Sequence, residues 1–164
     1  ALKAEDDAFV YELLDWLCKE DYDVYLISHV AEDYIPSQQF HKLFPQTHLV
    51  DTFMTPMEAK SFISGMNVFI GSRMHATIAA VSSGVVTIPL AYSMKFQGLF
   101  ELIEYKNVVD LQKLSTKQAL EETKSLVLNM TKLENDVEHS MMVCKKYKSI
   151  TKNQLKFAIL DTQN

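Results

Sequence analysis

The chain has 164 residues, of which 48% are hydrophobic and 23% charged, and its formal net charge is −5. This length and composition suit one domain with a sizeable core. No basic run indicates a nucleic-acid partner, no apolar run is long enough for a membrane span, and the N-terminus lacks a signal-peptide pattern. We therefore expect a cytoplasmic protein, either free or peripheral to the inner face of the membrane. Its two cysteines, Cys18 and Cys144, are expected to be reduced, buried thiols.

Short β-rich runs alternate with helical patterns over the first two thirds of the chain. Such alternation predicts right-handed βαβ crossovers and a parallel sheet covered on both faces by helices. The predicted fold is therefore α/β, a three-layer Rossmann-like domain. The predicted elements are, in chain order, a helix over 7–20, strands over 22–28 and 48–53, a helix over 55–66, a strand over 67–71 with a helix directly after it, a strand over 85–91, a helix over 95–103 and a strand over 107–111.

The last third of the chain carries a different pattern. From Ser115 to about Tyr147 apolar residues recur at helical steps, which predicts one long helix, and a further apolar helix over 153–160 follows. We expect this helical tail, residues 115–164, to pack on the same sheet or on a second domain, with a coiled-coil dimer as the alternative. The chain opens in a helix, whereas an α/β domain of this kind normally opens with a strand. Residues 1–164 are therefore expected to be one Rossmann-like domain of a longer protein whose N-terminal domain is missing here.

Polar side chains follow three of the predicted strands at the point where each strand ends. In an open parallel sheet these ends share one edge, the carboxyl edge, and ligands bind outside it. Taken alone, Arg73 would suit a surface salt bridge, and His75 would suit a half-buried structural position. Because both follow the same strand end, together they favour a ligand-binding or catalytic site there. His41 and His48, in a loop and at a strand start, are expected to be structural or solvated. The candidate residues are His29, with Glu32 and Asp33 just beyond it, after the first strand, Gly71, Ser72, Arg73 and His75 after the third, and Tyr92, Ser93 and Lys95 after the fourth.

The middle group of these residues has the composition of an anion site. Gly71 lets the backbone approach a ligand, and Ser72 is a candidate N-cap for a helix whose free N–H groups favour an anion. Arg73 can bind phosphate or carboxylate with its planar guanidinium, and Lys95 adds a point charge. His75 can exchange a proton near neutral pH. Spacing alone therefore predicts an anion-binding edge and no particular reaction.

The segment over 69–103 resembles the C-terminal half of the polysaccharide pyruvyl transferase family. That family shows a Gly-Ser-Arg-Leu/Met-His segment, an alanine-rich helix, a glycine turn and a strand, followed by Tyr-x-x-Lys and a Gly-Leu helix. The segment VYLISHVAED also resembles the family's strand-then-histidine segment and includes His29 and Asp33. The matching positions downstream are Gly71, Ser72, Arg73, Met74, His75, Gly84, Tyr92, Lys95, Gly98 and Leu99.

The resemblance implies a two-domain protein of the GT-B type in which this chain is the C-terminal domain. It implies transfer of a pyruvyl group from phosphoenolpyruvate to a pair of sugar hydroxyls, forming a ketal, in exopolysaccharide or cell-surface polysaccharide biosynthesis. The implied partners are phosphoenolpyruvate as co-substrate, a saccharide or lipid-linked saccharide acceptor, and the missing N-terminal domain, with neither a metal nor a cofactor. The implied catalytic residues are His75, which moves the proton, and Arg73, which binds the donor with Lys95, and the other substrate-binding positions are Gly71, Ser72, His29 and Tyr92.

Two departures from the family's pattern separate this chain from its relatives. Gly84 is followed by Val85 and Val86 where the family usually has Gly-x-Pro, which is expected to alter a turn. Tyr92 is followed by Ser93 where the family often has aspartate. This exchange removes a carboxylate from the carboxyl edge, so it is expected to affect which acceptor sugar is used. Two other functions also suit the residues: a glycosyltransferase that uses a nucleotide-sugar donor, and a non-catalytic binding domain of the same fold. For the nucleotide reading, a carboxylate for the ribose would come from Glu101 or Glu104.

Overall fold

The computed structural model describes residues 4–29 and 31–161 of the chain. Seven helices and five strands occur in this part, and each strand is separated from the next by one helix. The elements are α1 (Ala4–Lys19), β1 (Tyr25–Leu26), α2 (Ala31–Leu43), β2 (His48–Leu49), α3 (Pro56–Ile63), β3 (Val68–Gly71), α4 (Met74–Ser82), β4 (Val86–Ala91), α5 (Met94–Leu102), β5 (Val109–Asp110), α6 (Thr116–Leu128) and α7 (Met130–Asp161).

The strands pair in two separate parallel sheets. β1 pairs with β2, while β3, β4 and β5 form a three-stranded sheet in that order. The prediction of one sheet is wrong for the described residues, because no backbone hydrogen bond joins β1 to β3. The predicted α/β class and the parallel pairing are confirmed.

β4 lies at the centre of the core, and all six of its residues are buried. One hydrophobic cluster packs Ile88 and Leu90 of β4 against α1 and α6. A second cluster packs Val86 and Ala91 against α4, α5 and α7. Helices therefore flank the sheet, as the alternating sequence pattern predicted.

Tyr105 supplies hydrogen bonds that β4 does not obtain from β5. The short β5 pairs only with Leu90 and Ala91. Upstream of these, the hydroxyl of Tyr105 donates to the carbonyl oxygen of Thr87 and accepts from the Thr87 N–H at 3.4 Å. Burial raises the pKa of Tyr105 to about 12, so the phenol keeps its proton at neutral pH. The buried backbone of Thr87 thus has both of its groups satisfied.

The helix α2 is absent from the predicted elements, and His41 lies in its last turn rather than in a loop. The reason is Pro36, which lies inside this helix and ordinarily indicates a helix end. Here the proline falls in the second turn of a helix that is tied down at both ends. His41 Nδ1, for example, lies 3.2 Å from the hydroxyl of Thr47, which in turn donates to the carbonyl of Phe44 at 2.8 Å.

The tail is divided differently from the prediction. A break at Asn129 separates α6 from α7, and α7 continues to Asp161, so neither the single helix to Tyr147 nor a separate last helix is correct. Asn129 ends α6 because its N–H donates to the carbonyls of Ser125 and Leu126, and its side-chain amide donates to Ser125 as well. The apolar spacing runs across the break, so the sequence pattern by itself predicts one continuous helix there. Leu133 and Val137 of α7 pack on the sheet, as expected for the tail.

Two further expectations concern the thiols and the membrane. Cys18 and Cys144 are both free, and they are half-buried rather than buried. Burial raises the pKa of each thiol. Among the described residues, no helix combines the length and the apolar character needed to cross a bilayer.

Candidate functional site

Arg73 and Asp33 form a two-pronged ion pair at the carboxyl edge of the strands. The Nε–H of Arg73 donates to Oδ2 of Asp33 at 3.1 Å, and an Nη2–H donates to Oδ1. Arg73 is the only arginine in a chain that has 15 lysines. A planar guanidinium can bind both oxygens of a carboxylate in this way, whereas an ammonium acts as a point charge. The one arginine of the chain therefore stands where its fork geometry is used.

The backbone around Arg73 is fixed by the turn from β3 into α4. Arg73 is the N-cap residue of α4, with φ −82° and ψ 112°. Its carbonyl accepts hydrogen bonds from the N–H of Thr77 at 3.0 Å and from the Thr77 hydroxyl at 3.2 Å. The side chain itself is 50% exposed. A rigid backbone thus presents a guanidinium that faces Asp33 on one side and solvent on another.

Asp33 is positioned by a short chain of serine hydroxyls. It lies in the first turn of α2, which follows β1. The buried Ser28 donates to the hydroxyl of Ser37 at 3.1 Å, and Ser37 donates to the carbonyl of Asp33 at 2.8 Å. These bonds tie the end of β1 to the start of α2, so His29 and Asp33 are held in a fixed relation.

His29 lies beside the ion pair with one ring nitrogen unused. Its ring meets that of Phe69 edge-on, with centroids 6.1 Å apart. Its Nε2 is buried and has no hydrogen-bond partner in the described part of the chain. Burial lowers the pKa of His29, while Asp33 acts to raise it and Arg73 to lower it. The lowered pKa favours the neutral imidazole, which keeps one hydrogen-bonding position at this edge unsatisfied.

Gly71 makes room for the ring of Phe69. A Cβ at this position would lie 2.9 Å from Cε1 and 3.2 Å from Cζ of Phe69. Packing therefore accounts for the glycine, and close approach of a ligand is not needed to explain it. The Phe69 ring also contacts the His29 ring. The space that Gly71 leaves for Phe69 therefore helps to hold His29 in position.

Ser72 is not the helix cap that the sequence predicted. The N-cap of α4 is Arg73, and no described side chain caps this helix. Ser72 stands one residue too early, because an N-cap hydroxyl must accept from the second or third residue of the helix. The first N–H groups of α4 are consequently left without a side-chain partner.

The remaining candidates divide into one that adjoins the ion pair and two that do not. Asp33 raises the pKa of Arg73, and Tyr92, whose ring packs on Phe96, lies close enough to add to this effect. His75 and Lys95 are exposed, and within the described residues neither makes a hydrogen bond or an ion pair. The structure therefore gathers His29, Asp33, Arg73 and Tyr92 into one cluster and leaves His75 and Lys95 exposed nearby in the chain.

A model of the polysaccharide pyruvyl transferase family matches residues 4–94, which is more than half of the chain. The chain belongs to the polysaccharide pyruvyl transferase family. No curated protein and no solved structure matches it. The match begins in α1 and ends at the start of α5, so it includes His29, Asp33, Arg73 and His75 and stops one residue before Lys95. The suspected family is thus confirmed, over a longer segment than the motif that suggested it.

The two departures from the family's pattern have structural explanations. Ser93 is the N-cap of α5, and its Oγ accepts from the N–H of Phe96 at 3.2 Å. Serine and aspartate cap helices about equally well, so the exchange keeps the cap and removes only the charge. Gly84 ends the turn after α4 with φ 80°, a conformation that favours glycine. The Gly-Val-Val sequence thus keeps the required glycine, and the strand β4 begins at Val86 without a proline.

The carboxylates proposed for a nucleotide ribose do not lie at the carboxyl edge. α5 starts at this edge and runs back across the sheet over nine residues, about 13 Å. Glu101 lies in its last turn, and Glu104 lies beyond its end with Oε2 2.7 Å from His139 Nε2 of α7. A nucleotide-sugar donor bound at this edge would therefore lack the carboxylate that was expected to bind its ribose.

Proposed function

We propose that this chain carries the donor site of a pyruvyl transferase, which moves a pyruvyl group from phosphoenolpyruvate to two hydroxyls of a sugar. The observation that supports this best is the orientation of Arg73. Asp33 occupies its Nε–Nη2 side, which leaves the Nη1–Nη2 end free and half exposed. A guanidinium carries five N–H donors, and this pairing uses two of them.

The free end of Arg73 suits the charges of this donor. Phosphoenolpyruvate carries a phosphate and a carboxylate, and either group can accept two parallel N–H bonds. The uncapped N–H groups of α4 and the exposed Lys95 add positive potential at the same edge. Arg73 offsets the charge of Asp33, with which it pairs, and Lys95 offers a positive charge that has no partner among the described residues.

The reaction needs two hydroxyl protons to be moved, and we assign that work to His75. Addition of two sugar hydroxyls to the central carbon of phosphoenolpyruvate forms two C–O bonds and breaks the bond to the phosphate oxygen. One hydroxyl proton ends on the methylene carbon, which becomes a methyl group, and the other leaves with the phosphate. His75 has no competing partner in the described structure and follows Arg73 by two residues. An imidazole there can accept and return protons near neutral pH.

The remaining parts of the proposal concern the whole protein. Residues 1–164 form one Rossmann-like domain with the helical tail 115–164, and a second, N-terminal domain would close the cleft in a GT-B-type arrangement. The acceptor is a saccharide or lipid-linked saccharide of exopolysaccharide or cell-surface polysaccharide biosynthesis, used in the cytoplasm or at the inner face of the membrane. Neither a metal nor a cofactor is needed in this scheme.

Calorimetric titration of the complete polypeptide with phosphoenolpyruvate tests the donor assignment. We expect binding that is lost in Arg73→Ala and kept in Lys19→Ala, whose lysine pairs with Asp15 near the C-terminal end of α1. A nucleoside diphosphate, titrated in parallel, should not bind. Binding of the nucleotide without binding of phosphoenolpyruvate would instead favour glycosyl transfer and would contradict the proposal.

A further inference from the structure

Tyr92 is the most exposed aromatic residue in the described part of the chain, with 56% of its surface open to solvent. Single exposed aromatic residues are common on protein surfaces and need no explanation by themselves. Tyr92 differs from such residues in its place, because it directly follows β4 at the carboxyl edge, where ligands of parallel sheets bind. Its ring is therefore available to a ligand bound at that edge.

The parallel register places Tyr92 beside Arg73. Gly71, the last residue of β3, is opposite Pro89 of β4. Arg73 lies two residues beyond Gly71 and Tyr92 three residues beyond Pro89, on neighbouring strands about 5 Å apart. Asp33 raises the pKa of Arg73 most, and Tyr92 adds to the increase, which agrees with this proximity. A donor held by Arg73 would therefore lie within the length of one sugar ring from Tyr92.

The start of α5 holds the ring of Tyr92 in place. The ring packs on that of Phe96, which is fully buried, with the two centroids 5.7 Å apart and the planes inclined by 52°. Between them in sequence, Ser93 is the N-cap of α5, and its Oγ accepts from the N–H of Phe96 at 3.2 Å. One part of the Tyr92 ring thus rests on the core while the rest faces solvent. A side chain ordered in advance loses little conformational freedom when a ligand binds.

The exposed face of this ring suits the acceptor better than the donor. The phosphate and carboxylate oxygens of phosphoenolpyruvate need N–H donors, whereas the face of an aromatic ring carries negative partial charge. A pyranose has hydroxyls around its edge and C–H bonds on its faces, and an aromatic face attracts the positive end of a C–H bond. Hydroxyls at the edge of a stacked sugar can reach a donor held by Arg73.

We propose that Tyr92 forms the acceptor subsite, with its exposed ring face stacked on a C–H face of a pyranose. The inference deepens the proposed function and rests on it, because that reaction calls for a saccharide acceptor. Met94, the first residue of α5, is 83% exposed and adds a second apolar side chain at the same end of that helix. Ser93 keeps the helix cap without placing a carboxylate next to this surface. Tyr92 is then a specificity-determining residue, which selects sugars that have one face free of charged or bulky groups.

Saturation-transfer NMR on the complete polypeptide tests this assignment, with the methyl pyranosides of glucose, galactose and mannose as probes. We expect at least one of them to bind, with the strongest saturation on the C–H protons of one face of its ring. Tyr92→Ala should raise the dissociation constant of that glycoside about 3- to 10-fold, the effect of losing one aromatic contact. Tyr92→Phe keeps the ring, so its dissociation constant should stay within about twofold of the wild type.

Tyr11→Ala is the matched control. Tyr11 is 48% exposed, and its ring packs on that of Phe44 with the centroids 5.1 Å apart and the planes inclined by 54°, so it resembles Tyr92 in exposure and support. It lies on α1 and packs beside the C-terminal end of α2, a helix of 13 residues that begins near the carboxyl edge and runs away from it. Removing the Tyr11 ring should therefore leave the affinity for the glycoside unchanged.

Three results would overturn the proposal. The first is an absence of saturation transfer to all three glycosides, and the second is an unchanged affinity in Tyr92→Ala. The third is an equal loss of affinity in Tyr92→Phe and Tyr92→Ala, which would show that the hydroxyl binds rather than the ring face.

Calorimetric titration of the same variants with phosphoenolpyruvate separates this inference from the donor assignment. Tyr92→Ala should bind phosphoenolpyruvate within about twofold of the wild type, because the donor is held by Arg73. A larger loss of donor affinity, with the affinity for the glycoside unchanged, would place Tyr92 in the donor site and contradict the inference. If the wild type bound the glycoside through Tyr92 but did not bind phosphoenolpyruvate, the donor assignment alone would fail.

Discussion

The guanidinium of Arg73 holds the carboxylate of Asp33, 40 residues earlier in the chain, through two N–H donors. This ion pair connects the β1–α2 segment to the β3–α4 turn, which belong to separate sheets. The Arg73 and Asp33 side chains are 50% and 27% exposed, so the pair contributes at most about 1 kcal/mol to stability. Its stronger effect is on orientation, because it fixes the plane of the guanidinium.

Replacing Arg73 with lysine should weaken donor binding although the charge is kept. An ammonium cannot bind Asp33 with one side and the donor with another, so the dissociation constant for phosphoenolpyruvate should rise about tenfold or more. Calorimetric titration measures this change. Lys19→Ala, which breaks an exposed pair with Asp15, should leave the affinity unaltered. Equal affinities in Arg73→Lys and the wild type would remove Arg73 from the donor site.

Asp33→Asn should lower kcat/KM for phosphoenolpyruvate by about tenfold through misplacement of Arg73, while the free energy of unfolding falls by no more than about 1 kcal/mol. The asparagine amide keeps one acceptor oxygen, so it can no longer accept from both the Nε and the Nη2 of Arg73. Asp33→Glu should restore part of the activity because the carboxylate returns. Asp15→Asn removes a carboxylate from another surface pair and serves as the control for stability. An unfolding energy reduced by several kcal/mol with a normal KM would show that Asp33 is structural only.

His75→Ala should reduce turnover of the complete polypeptide by about 10²–10⁴-fold, the usual effect of removing an acid–base group. Because the His75 side chain is exposed and makes no hydrogen bond or ion pair among the described residues, the melting temperature should hardly change. Initial rates of phosphate release measure turnover. His139→Ala, an exposed histidine on α7, should retain full activity. Near-normal turnover of His75→Ala would assign the proton transfer elsewhere.

Gly71→Ala should destabilise the fold by about 1–3 kcal/mol, the usual effect of overpacking. The new Cβ would meet the Phe69 ring at 2.9 Å, and a displaced ring would also lose its contact with His29. Urea unfolding measures the change. Gly98→Ala lies within α5 and has open space around its Cβ, so it should be neutral or stabilising by up to about 1 kcal/mol. If both variants unfold alike, the packing account of Gly71 is wrong.

The stability of the protein should depend on pH partly through His29. Its pKa in the folded state is lowered by burial from the ordinary value of 6.5, so the unfolded chain binds a proton more readily than the native one. The stabilisation is therefore complete above about pH 6.5 and is lost as the pH falls from there toward the folded pKa. In His29→Gln, the decrease in unfolding energy between pH 7 and pH 5 should be smaller than in the wild type. An unchanged decrease would mean that His29 titrates normally in the folded state.

The sequence predicted the fold class well because alternation of β-rich and helical runs is a strong signal. β4 was located within one residue, since VVTIPLA is a continuous apolar run that must be buried. The helix α2 is not predictable from local pattern because a proline such as Pro36 ordinarily indicates a helix end. The break at Asn129 is not predictable because the apolar spacing continues across it. The division into two sheets could not be read from local patterns, since it depends on which strand edges meet.

The site was predictable in composition but not in its contacts. The sequence predicts that Arg73 and His29 lie at one edge, because each follows a strand and parallel strands end at the same edge of a sheet. The pairing of Arg73 with Asp33 depends on a tertiary contact that no spacing encodes, and the role of Phe69 behind Gly71 has no sequence signal. Serine is a common N-cap residue, so the sequence favours Ser72 as the cap, whereas the helix begins one residue later, at Met74, and its N-cap is Arg73.

The hydroxyl of Tyr105 has a consequence for how this domain can vary. One phenolic oxygen both donates to and accepts from Thr87, which is what a residue of an adjoining strand would otherwise do. Because that one atom satisfies both backbone groups of Thr87, the connection between α5 and β5 has to hold Tyr105 in its place against β4, and Ile103 in the same connection is buried as well. Phenylalanine at position 105 would leave the buried N–H and carbonyl groups of Thr87 without this hydrogen-bond partner. Related sequences should therefore keep both this tyrosine and the length of chain between α5 and position 105.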